Sequence, residues 1–130
     1  METKELTNEE KIAALRQIPG LDVSAGLAVI ANMEAPYLRI LGLFVKNWGT
    51  NESKLDEEFC ETQDELEGFR TLIHGYKSAL GNLGALELAE KAFSLETSAK
   101  NNNRAAIEQP LSEFKSGVSQ LVAAVERILS

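Results

Sequence analysis

From Leu66 to Leu83 the apolar residues Leu66, Phe69, Ile73, Tyr76, Leu80 and Leu83 return every three or four positions without a break. A helix with one face in a core gives that spacing, whereas a strand would alternate with a period of two. The same 3,4 spacing recurs along the chain. β-branched residues are scattered, and no segment alternates apolar and polar positions for long. The chain is therefore expected to be all α.

Punctuation divides it into helices. Thr7 with Glu10 makes a capping-box pattern ahead of the stripe Ile12, Leu15, Ile18, and Pro19-Gly20 ends that first short helix. Asp22 or Ser24 can cap a second short helix running through Ile30. A third starts in the stretch from Asn32 to Pro36 and buries Tyr37, Leu41, Phe44 and Trp48 in its core face, which leaves no ligand box there. Gly49 is expected to end it in the left-handed conformation, leaving Thr50 to Lys54 as a loop and then a helical turn around Leu55 and Phe59. Thr62 and Glu65 form a second capping-box pattern before the long repeat, which Gly84 breaks. Leu88, Ala92, Leu95 and Ala99 line the next helix as far as Asn101, Asn102 and Asn103. The last segment starts near Asn103, is kinked or restarted at Pro110, and continues through Leu111, Phe114, Val118, Leu121, Val125 and Ile128. Short turns force neighbouring helices to run antiparallel. The expectation is one domain over residues 1–130, an antiparallel four-helix bundle with one or two short N-terminal helices.

Composition excludes several functions. Twenty acidic against 13 basic residues give a net charge of -7, which disfavours nucleic acid and anionic membranes, since both attract basic surfaces. Apolar runs such as Ile40 to Val45 fall far short of the roughly 20 residues a membrane span needs. A single cysteine, Cys60, allows no internal disulfide, and no signal-peptide pattern opens the chain, so a cytoplasmic protein is expected. One His and one Cys on different segments do not make a metal site. Cys60 itself, with no histidine beside it, is expected to be an inert, partly buried thiol, and Asp56, Glu57 and Glu58 a solvated face. No GxxxxGK or GxGxxG run exists to cradle a nucleotide, so the chain is not expected to make phosphohistidine from ATP.

The one histidine, His74, stands in the run HGYKSALGNLGA. Helical geometry stacks it with Lys77, Ser78 and Gly81 and turns it roughly 130° from the middle of the apolar arc, towards solvent or a neighbouring helix edge. A lone histidine there is ordinarily an unremarkable surface residue, but its neighbours are not those of an inert surface. Arg70 and Lys77 place positive charge one turn to either side, which suits a phosphorylated imidazole better than a protonated one. Ser78 and Gly81 sacrifice helix propensity, Gly by about 1 kcal/mol relative to Ala, and clear the surface for a partner.

The run resembles the histidine-containing phosphotransfer (HPt) domain, whose pattern is a histidine, a lysine three later, a glycine four after that, and a GNLGA-like close. His74, Lys77, Gly81, Asn82, Leu83, Gly84 and Ala85 match it. The stretches GLDVSAGL, YLRILGLF and ELAEKAFSLE and the proline of the final helix are similar to bacterial members. Ser78 departs from the glycine usual after the lysine. The resemblance implies a phosphoryl carrier rather than an enzyme: His74 accepts a phosphoryl group from the aspartate of one response-regulator receiver domain and passes it to another. It also implies no cofactor of the chain's own, with Mg²⁺ supplied by the receiver and with Lys77 and Arg70 assisting. Receivers are the expected partners, together with a hybrid sensor kinase, and the expected state is a monomer. A carrier histidine needs a hydrogen bond at Nδ1 to fix its tautomer. Glu96, which follows Ala89 and Phe93 on one row of the next helix, is the candidate, because about as many residues precede the Gly84 turn from His74 as follow it to Glu96. The alternatives are a receiver-binding or scaffold module in which His74 carries no phosphate, and a structural domain excised from a sensor kinase.

Overall fold

The computed structural model describes residues 6–61 and 66–129. Among these residues there is no strand. The helices are α1 (Asn8–Leu15), α2 (Val23–Val29), α3 (Glu34–Asn51), α4 (Ser53–Glu61), α5 (Glu67–Leu83), α6 (Leu86–Lys100) and α7 (Glu108–Leu129), with a 3₁₀ turn at Arg104–Ala106. The four long ones, α3, α5, α6 and α7, are the expected bundle, and α1 and α2 are the expected short helices ahead of it.

The local signals act where the sequence places them. Thr7 Oγ1 accepts from the Glu10 amide at 3.1 Å while Glu10 accepts from the Thr7 amide at 2.9 Å, closing the capping box. Asp22 caps α2 by accepting from the Ala25 amide at 3.0 Å. Gly84 ends α5 at φ 94°, a conformation that strains any residue with a side chain. The capping pattern at Thr62 and Glu65 lies outside the described residues.

Two expectations are corrected, at Gly49 and at Cys60. Gly49 does not stop α3, which continues to Asn51, and α4 follows almost at once, so the loop expected over Thr50 to Lys54 is replaced by helix while the turn expected around Leu55 and Phe59 is found within α4. The reason is tertiary: Trp48 and Leu55 are both sunk in the core, so the backbone between them is pinned from both sides. Pro110 marks the restart of the last segment, one of the two outcomes expected for it. It sits in the first turn of α7, where its missing N–H would have had no partner, and Asn103 caps the preceding 3₁₀ turn. Cys60 is exposed rather than partly buried, because Leu55 and Phe59 take the inward positions of α4. The neighbouring acidic face is exposed at Asp56 and Glu57 as expected, and Asp56 also pairs with Lys115 of α7.

Every helix contributes to one hydrophobic cluster. Trp48 and Tyr76 meet edge to face at 5.2 Å, Trp48 meets Phe114 at 6.3 Å, and the indole N–H donates to Ser119 Oγ at 3.1 Å. The C-terminus of α5 is fixed separately. The Asp22 amide donates to the Gly84 carbonyl at 2.8 Å, and the buried Tyr37 hydroxyl donates to the Leu83 carbonyl at 2.8 Å. Burial, aided by the charge of Asp22 and opposed by that of Arg16, pushes the Tyr37 pKa up to about 12, so this hydroxyl stays a donor. The helix carrying His74 is thus anchored at the end where it turns into α6.

Candidate functional site

α5 offers three surfaces. Its apolar row enters the core; His74, Lys77 and Gly81 turn towards α6; Leu72, Gly75 and Ala79 turn towards α3, where they line a groove of about 570 Å³ with the exposed Ile40 and Leu43. Ser78 is exposed on the ridge between the last two.

The antiparallel return of α6 brings Glu96 beside His74. One carboxylate oxygen lies 2.6 Å from His74 Nδ1, and the other accepts from Lys77 Nζ at 2.7 Å. The side chain of Glu96 is 16% exposed and that of His74 58%, so the carboxylate backs the ring and leaves the remainder of it in solvent. An ionised carboxylate can only accept, so Nδ1 carries the hydrogen of this contact and Nε2 keeps its lone pair in the neutral ring. Partial burial works to raise the Glu96 pKa. Hydrogen bonds from Lys77 and His74, with the fields of their charges, outweigh it and hold the carboxyl below its ordinary range.

That depression has a consequence for stability. With its pKa lower in the folded than in the unfolded chain, ionised Glu96 stabilises the fold at neutral pH, and the contribution disappears as the pH falls through the depressed value. Glu96→Gln should therefore lower the thermal midpoint at about pH 7, with the gap from wild type closing in acid. Thermal melts across that range check this, and a gap that widened in acid would contradict the assigned direction.

Of the other candidate residues, Arg70 is exposed and joins neither His74 nor Glu96. Gly81 is half-buried at the hairpin, where an added Cβ would stand 3.9 Å from that of Ala89, so it faces the neighbouring helix more than open surface. Two residues escaped the sequence reading. Gly75 leaves open space next to His74 on the groove side, a signal available in the HG pair itself. Phe93 is 57% exposed, with the Lys77 ammonium 5.3 Å from its ring centroid. Among the described residues no group of three or more His, Cys, Asp or Glu is placed to hold a metal, and no single helix is long and apolar enough to cross a membrane.

Fold and site together define a helical bundle with one solvent-facing histidine backed by a carboxylate. The family model of the Hpt domain matches residues 39–128, and the chain belongs to that family. No curated protein and no solved structure significantly matches the chain. Membership supports a histidine phosphotransfer role in phosphorelay and interaction with receiver domains of two-component systems, and Hpt domains are phosphocarriers without kinase activity.

Proposed function

We propose that His74 takes a phosphoryl group from the phosphoaspartate of one receiver domain and passes it to the aspartate of a second. The observation that carries this reading is the Glu96 contact, which occupies Nδ1 and leaves Nε2 as the nucleophile. In the forward step the Nε2 lone pair attacks phosphorus in line, the bond between phosphorus and the bridging aspartyl carboxyl oxygen breaks, and the carboxylate leaves with the bonding pair. The ring becomes an N-phosphorylated imidazolium still bearing its Nδ1 hydrogen, and the Glu96 carboxylate stabilises that charge. Phosphoryl transfer of this kind is mostly positioning and charge neutralisation. Lys77 lies next to the ring through Glu96 and supplies part of the positive charge, Arg70 adds a weaker field from one turn away, and Mg²⁺ bound by the receiver supplies the remainder. The chain then needs no metal or nucleotide of its own. It acts in the cytoplasm as a monomer, on receivers and the hybrid kinase that feeds them.

Docking falls on Ser78 and the groove beside it, where exposed apolar side chains and the open space at Gly75 let a partner approach. The interface is modest in area because the carrier must leave after each transfer. The test is to incubate the chain with a receiver phosphorylated by radiolabelled acetyl phosphate and to follow acid-labile label. Wild type and Ser78→Gly should take it up, while Ser78→Leu, equally helical by circular dichroism, should take it up at least about tenfold more slowly, a bulky side chain one turn from Nε2 keeping the reacting atoms apart. Binding of the receiver without label on any variant would reduce the chain to an interaction module. Equal rates for Gly and Leu would move the docking face elsewhere.

A further inference from the structure

Phe93 is an aromatic residue left 57% exposed on a bundle surface, and what it touches is specific. It lies one helical turn before Glu96 on α6, and the Lys77 ammonium stands 5.3 Å from its ring centroid while donating to Glu96 at 2.7 Å. That distance is within the range in which a ring's quadrupole attracts a cation. The Lys77 head group is therefore confined between a carboxylate oxygen and an aromatic face, and its side chain is only 27% exposed. A lysine is otherwise a flexible point charge that roams widely. Held in this way it engages one Glu96 oxygen, which leaves the other aimed at His74 Nδ1.

We infer that Phe93 is a positioning residue for the transfer step: its ring holds Lys77 on Glu96, and through Glu96 it fixes the orientation of His74. This rests on the carrier reading above. The chain Phe93, Lys77, Glu96, His74 is one mechanical series, so the effect of the ring should pass through the lysine and nowhere else. The rival role, an apolar residue that simply contacts the receiver, would act without Lys77.

A double-mutant cycle separates the two. At saturating phosphorylated receiver, Phe93→Leu should slow label transfer by about two- to fivefold, the range of a partly exposed cation–π contact, with KM unchanged, and Phe93→Tyr should restore the wild-type rate. In a Lys77→Met background Phe93→Leu should have no further effect. An NMR comparison needs no phosphate: the ring current should shift the Lys77 ε-methylene protons upfield in wild type and Phe93→Tyr, and the shift should vanish in Phe93→Leu. The inference is overturned if Phe93→Leu acts on KM, if its full effect persists without Lys77, or if the lysine protons are unshifted in wild type. Should wild type itself accept no label, the carrier reading falls, while the ring-current comparison still decides whether the clamp exists.

Discussion

His74→Gln is expected to reduce acid-labile label from a phosphorylated receiver to background while changing stability by no more than about 0.5 kcal/mol. The two halves of this expectation have separate causes. The side chain is 58% exposed and belongs to no part of the hydrophobic cluster, so its replacement opens no cavity. Gln can still donate an amide hydrogen to Glu96, which avoids leaving that carboxylate with one oxygen unpaired. What Gln cannot do is present a ring nitrogen lone pair to phosphorus, and no second histidine exists in the chain to substitute. Label measured before and after mild acid treatment, beside a thermal melt of each variant, checks both halves. Acid-labile label retained on the variant would remove His74 from its role.

How much of this could be read from the sequence depends on whether a feature is local or tertiary. The Thr7 capping box, the Asp22 cap and the Gly84 stop each act within a few residues, and each is found where its pattern predicts. The meeting of His74 with Glu96 is long-range, yet one tight turn and two regular helices determine it, so simple counting suffices. Gly49 shows the opposite. Its propensity argues for a helix end, but the buried Trp48 and Leu55 on either side outweigh about 1 kcal/mol of local preference. The exposure of Cys60 follows from which residues of α4 the core accepts: with Leu55 and Phe59 inward, the residue after Phe59 turns outward. Phe93 was visible only as a member of the Glu96 row. Its relation to Lys77 depends on how two side chains bend towards each other, which spacing along a chain does not report.

Gly84→Ala is expected to destabilise the fold by about 3 kcal/mol or more, a drop in thermal midpoint of roughly 10 °C. Three effects combine. The φ of 94° costs a residue with a Cβ on the order of 1–2 kcal/mol. The added carbon would collide with the Asp22 carbonyl and crowd the Gly26 amide, so the backbone must move apart, an overpacking that typically costs about 1–3 kcal/mol. That movement also stretches the bond from the Asp22 amide to the Gly84 carbonyl, loosening α2 from the end of α5. The matching control is Gly49→Ala: this glycine lies inside α3 with open space where its Cβ would go, so the variant should gain up to about 1 kcal/mol and melt a few degrees higher. Melts of both variants check the contrast, and a neutral Gly84→Ala would show that the turn accommodates a side chain. Loss of function should follow loss of the turn. Glu96 reaches His74 only because Gly84 sends α6 back along α5 in one register, so a Gly84→Ala chain that still folds should transfer phosphate more slowly than wild type at a temperature where both are native.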